Sequence, residues 1–167
     1  MDPLQKILDD NRLSVSRLAE AAERCAATWD LPPRPGKWTP SQITEHVARS
    51  LEESANVVDG KPSKFPNFPG FLRVIARNLL VKRVLKRDAF PKAKTSQPFN
   101  PDRGSATPAE GRARLEAAAA AFERACRERA AKSDTVETGT FGTLALAEYA
   151  RFQEIHVRHH TRQMPRG

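Results

Sequence analysis

The sequence predicts an all-α protein, a bundle of four main helices forming one domain over residues 1–167. Three observations point there. Four long segments carry helix punctuation, and no segment sustains a period-two alternation of apolar and polar residues. The one long proline-rich stretch, residues 60–106, suits a crossover between parallel neighbours better than a hairpin.

The first helix is expected from about Leu4 to Thr28, a run rich in Leu, Ala and Glu without proline or glycine. "LPPRPGK" then breaks the chain. The second helix opens in "WTPSQITEHVARSLEESANVV", where Thr39 can cap, Pro40 suits the first helical position and Gln42 can close a capping box. Trp38 before the cap and Ile43 after it can form a hydrophobic staple. Within the crossover, "FPGFLRVIARNLLVKRVLKR" reads as an extra helix. The third main helix starts at Thr107, Pro108 and Glu110, the same capping pattern, and continues through an alanine-rich run. The last is expected from Thr143 to about Met164, stopped by Pro165 and Gly167.

Composition narrows the function classes. No apolar run approaches the roughly 20 residues that cross a bilayer, and "MDPLQKILDD" lacks the basic start and apolar stretch of a secretion signal. Cys25 and Cys126 have no disulfide-framework spacing and read as buried thiols in a reducing compartment. The expectation is therefore a cytoplasmic protein. The net charge of +8 is local: residues 61–103 hold eleven Lys or Arg against two Asp, and the remainder is nearly neutral. A solvated rim is the plain reading of that basic crossover, and an electrostatic handle for an anion is the sharper one. Phe68, Phe71, Leu72, Ile75 and Leu79 share one face, but Lys82 and Lys86 continue it, which argues against membrane-surface binding. No recognition helix or finger motif is evident, so no specific nucleic-acid partner is expected.

The histidines carry the chemistry. Of four in the chain, His156, His159 and His160 fall within five residues, and His46 stands alone on the second helix. On a helical projection His160 lies about 40° from His156, with Tyr149, Phe152 and Gln163 also within about 40°. Glu154, Arg158 and Thr161 fall on the far side. His159 sits at the edge of the inward face, about 60° away. Two imidazoles at i and i+4 can reach one metal ion, and His46 is the remaining candidate for a third ligand. Three neutral imidazoles leave a position open, which is the catalytic form of such a site. The same pattern also suits histidines that only hydrogen-bond in a core. Glu53, two turns beyond His46, either lines the pocket or is an ordinary solvated carboxylate.

"WTPSQITEHV" and "FGTLALAEYARFQEIHVRHHTRQM" together resemble the DinB-like (YfiT-type) metalloprotein family, in its branch of unknown function. The resemblance covers most of the chain. It implies an up-down-down-up four-helix bundle with a long crossover, carrying an extra helix, between the second and third main helices. It implies a metal site of His46, His156 and His160, with His159 as a hydrogen-bonding neighbour and Gln163 supporting the ligands from behind. The metal would be a divalent ion, zinc, nickel or iron. The family further implies a thiol-dependent transferase or hydrolase type of reaction on a small-molecule substrate, a low-molecular-weight thiol as cosubstrate, and a homodimer. No GxSxG motif, glycine-rich phosphate loop or clear general base appears in the sequence. A non-catalytic metal-binding or interaction bundle is the alternative expectation, and a nucleic-acid-associated helical protein using the crossover a third.

Overall fold

The computed structural model describes residues 2–91 and 94–165, so Lys92 of the basic crossover and the stop expected at Gly167 lie outside the described residues. Helix α1 spans Pro3–Arg24, capped by the Asp2 carboxylate, which accepts from the Leu4 amide at 3.0 Å. Its buried face, Leu4, Leu8, Val15, Leu18 and Ala22, follows the helical period. Helix α2, Pro40–Val58, has the full capping box: Thr39 Oγ1 accepts from the Gln42 amide at 3.1 Å, and Gln42 Oε1 accepts from the Thr39 amide at 3.0 Å. Such a cap contributes about 1 kcal/mol and fixes where α2 starts, hence where His46 faces.

The crossover holds α3 (Gly70–Ala76), a π turn (Arg77–Val81) and α4 (Lys82–Arg87). The π turn places one extra residue in the coil and rotates α4 relative to α3. Val81 and Val84 face the core, while Lys82, Arg83, Lys86 and Arg87 face solvent. The face that carries Phe71, Leu72, Ile75 and Leu79 is the outward one, and all four are exposed. α4 ends at Asp88 in the left-handed region, φ 51°, where its carboxylate meets Arg151 and Arg158.

Helix α5 is Pro108–Ala130, with Thr107 Oγ1 accepting from the Glu110 amide. The Glu110 side chain reaches the Ala106 amide, one residue short of the expected reciprocal partner. The all-α expectation holds for most of the chain and misses one small sheet. The chain is mostly helical, but β1 (Thr135–Thr138) and β2 (Gly142–Ala145) pair antiparallel, with Val136 opposite Leu144. Helix α6 accordingly begins at Leu146, not Thr143, and runs to Thr161. Four-residue strands are too short for an alternation to stand out. Gly142, at φ 70°, turns the chain into β2 where a side chain would be strained.

α2 packs along α5, and α1 along α6 and α5, around Leu18, Val47, Leu51, Leu115, Phe122 and Val157, all fully buried. Glu154, expected on the far side of α6 from the histidines, is not in solvent. It is 2% exposed, facing α1, where Ser14 donates to it at 2.7 Å and Arg151 and Arg158 neutralise it. A charge sunk that deep is tolerable only because it is paired.

The returning leg of the crossover docks on the start of α2. Ser105 O accepts from both Trp29 Nε1 (2.8 Å) and Ser41 Oγ (3.1 Å), and Gln42 Nε2 donates to Pro101 O at 3.0 Å. At Gly104 any side chain would overlap the Ser41 carbonyl, a backbone atom that cannot step aside. Gly104→Ala should therefore lower unfolding free energy in urea by about 1–3 kcal/mol. A variant as stable as the parent would show that this leg is not tightly docked.

Candidate metal centre

α2 and α6 bring His46 together with His156 and His160, although His46 and His156 are 110 residues apart in sequence. His46 Nε2 lies 3.2 Å from His156 Nε2, and His160 Nε2 lies 3.0 Å from the same atom. One ligand atom from each ring falls within 4.8 Å of the others, and the group could hold a metal ion. Nitrogens on a tetrahedral ion at 2.0–2.1 Å would be about 3.3 Å apart, close to the His46–His156 and His156–His160 spacings.

The outer nitrogens fix the tautomers. His46 Nδ1 donates to the Phe99 carbonyl at 2.7 Å, because a carbonyl can only accept. Gln163 uses both ends of its amide: Oε1 accepts from His160 Nδ1 at 2.9 Å, and Nε2 donates to His159 Nε2 at 2.9 Å. With their protons held outward, His46 and His160 both turn bare Nε2 lone pairs inward. His156 Nε2 can carry one proton at most, so one of the two N···N contacts necessarily sets lone pair against lone pair. A cation resolves that conflict; a second proton would have to charge a buried ring. The donor set thus fits a divalent ion.

Electrostatics point the same way. Burial holds His46, His156 and His160 below the ordinary histidine range, His160 down to about 2. For His46 the Phe99 hydrogen bond opposes burial without overcoming it. His159 is also held low, first by burial and then by Arg162. Neutral imidazole is the form a metal requires.

Aromatic side chains close the site. The Trp38 ring lies 4.8 Å from His46 and 6.1 Å from His160, and its Nε1 donates to Asn100 Oδ1 at 3.1 Å. Phe90 lies 5.1 Å from His156 and 4.8 Å from Phe152. The histidines line a cavity of about 1140 Å³, together with Tyr149, Phe152 and Gln163, the residues expected on the inward face of α6. Glu53 does not line it: two turns along α2 from His46, its carboxylate accepts from the Lys64 amide at 2.8 Å. Glu45, whose sequence position adjoins His46, is held by Arg49 and Arg114.

Sequence reasoning missed Trp38, Phe90 and the Phe99 carbonyl as parts of the site. Trp38 was legible only as a helix-start residue, and a backbone carbonyl leaves no residue signal at all. Comparison with family models matches residues 11–164 to the family described as the DinB superfamily. Comparison with curated proteins and with solved structures gives no match.

Proposed function

Because the chain belongs to the DinB superfamily, we propose that it is a divalent-metal protein in which His46, His156 and His160 are the ligands, acting as a metal-dependent enzyme on a small molecule. The observation that carries this is the convergence of three Nε2 atoms, with the outer nitrogens of two of the rings, His46 and His160, already committed to Phe99 O and Gln163 Oε1. Gln163 and, through it, His159 keep the His160 ring in orientation. Zinc, nickel and iron all suit imidazole.

A cavity of about 1140 Å³ opening on the histidines supports a catalytic reading over a closed structural site, which would leave no room for substrate. A bound ion would supply a Lewis acid that favours the anionic form of a low-molecular-weight thiol or of water. The chain's own part is to hold the rings neutral, to shield them with Trp38 and Phe90, and to admit a substrate from one side. None of the described cavity residues is a carboxylate that could serve as general base, which favours a reaction whose nucleophile is activated by the ion, as thiol transfer would be.

The arrangement is read as an up-down-down-up four-helix bundle, supported by the α1–α6 and α2–α5 packing and by the long connection from α2 to α5. Exposed Phe71, Leu72, Val74, Ile75 and Leu79 support a homodimer joined through α3. Two free, buried cysteines support a cytoplasmic location, and no helix among the described residues is long and apolar enough to cross a membrane.

Elemental analysis of untagged protein is the direct test. Near-stoichiometric zinc, nickel or iron is expected, together with metal-dependent consumption of a small thiol in the presence of a small electrophile. Protein that stays metal-free after incubation with all three ions would end this reading.

A further inference from the structure

The cavity has a charge pattern that the metal reading does not use. Its described lining holds four permanent cations, Arg34, Lys37, Lys94 and Arg162, and no aspartate or glutamate. All four are exposed, which puts them at its mouth. They come from three separate places: the loop before α2, the segment after α4, and the residue that ends α6.

Several cations elsewhere in the chain are neutralised. Arg49, Arg112, Arg114, Arg127, Arg151 and Arg158 each pair with a carboxylate. Among the described residues, none of the four mouth cations has a carboxylate partner. Inside the mouth the walls are apolar: six of the chain's eight phenylalanines, Phe65, Phe68, Phe90, Phe99, Phe141 and Phe152, line the cavity. Low-dielectric walls beside unpaired cations of one sign focus a positive potential into the opening.

We propose that this cavity binds a small organic anion, its carboxylate or phosphate head held among Arg34, Lys37, Lys94 and Arg162 and its apolar body lying among the phenylalanines, with the inner end facing the histidines. The inference rests on the reading of this cavity as the substrate pocket and names the class of substrate. A neutral or cationic molecule of the same shape gains only the apolar part of that site. The volume admits a ligand of drug-like size, not a macromolecule. The exposed cations of α4 play no part, since Lys82, Arg83, Lys86 and Arg87 do not line the cavity.

The test is calorimetric titration of 4-phenylbutyrate, 4-phenylbutyl phosphate, 4-phenylbutan-1-ol and 4-phenylbutylamine, with metal-loaded and chelator-stripped protein. Both anions should bind roughly tenfold tighter than the alcohol and tighter still than the amine, and the tighter anion identifies the preferred head. The preference should shrink to about threefold or less in Arg34→Ala/Lys37→Ala and with added salt. It should persist in Lys82→Ala/Arg83→Ala, which removes the same net charge outside the cavity. Equal affinity for acid and alcohol overturns the inference. So does a preference that vanishes on stripping the metal but survives in Arg34→Ala/Lys37→Ala, for the ion would then be the anion's partner and the metal reading would stand alone. A preference that survives in protein unable to retain any metal upholds the inference and ends the metal reading instead.

Discussion

His156→Ala is expected to lose bound metal, with affinity falling on the order of a hundredfold or more. The bound is conservative, since loss of a mere supporting partner costs about 10- to 100-fold. His156 Nε2 is the atom that both other Nε2 atoms approach, so no two-ligand remnant keeps the geometry. Gln163→Ala should fall in that lower range, because it frees the His160 ring without removing a ligand. The readout is metal content after dialysis, with thermal unfolding beside it. Added metal at about 100 times its dissociation constant should stabilise the parent by about 2.7 kcal/mol and leave His156→Ala unmoved. If His156→Ala retained metal like the parent, the three-histidine site would be wrong, whatever ion the protein carried.

Metal-free protein should lose stability as pH falls below 6.5. The native state holds His46, His156 and His160 below that ordinary value, chiefly by burial, whereas the unfolded chain protonates them near it. The unfolded state therefore binds more protons through this window, and stability must fall with falling pH. Each such histidine contributes a slope approaching about 1.4 kcal/mol per pH unit once its unfolded form is fully charged. The stabilisation is complete above pH 6.5 and the loss continues downward, for His160 towards about 2. Asp9, Glu23, Glu52 and Asp88, all held low by arginine partners, act with the same sign but only in the carboxylate range. Urea midpoints between pH 7 and 5 isolate the histidines, and His156→Ala should flatten that limb. A flat limb in the parent would mean that the native rings protonate as readily as free ones.

How much could be read from the sequence depended on how local each cause is. Thr39, Pro40 and Gln42 interact within four residues, so the start of α2 was legible to the residue. The spacing of Tyr149, Phe152, His156, His160 and Gln163 depends on one helix alone, and all five do line the cavity. The π turn was not legible, because a single extra residue in a coil leaves no compositional mark. Nor was the burial of Glu154 legible: its far side is defined relative to the histidines, and only α1, packed there with Ser14, makes that side an interior.

By itself the sequence determined where α1, α2 and α5 begin, though α1 ends at Arg24 and not at the expected Thr28, that the inward stripe of α6 carries two histidines, and that His46 was free to join them. Tertiary structure alone decided which nitrogen of His46 turns inward, because Phe99 O, 53 residues away, sets that choice, and it alone brought that ring against His156 of α6. It also decided that Arg34, Lys37, Lys94 and Arg162 share one opening. Contacts within a helical turn are fixed by spacing, whereas contacts across such distances exist only once the core has closed and set each backbone atom in place.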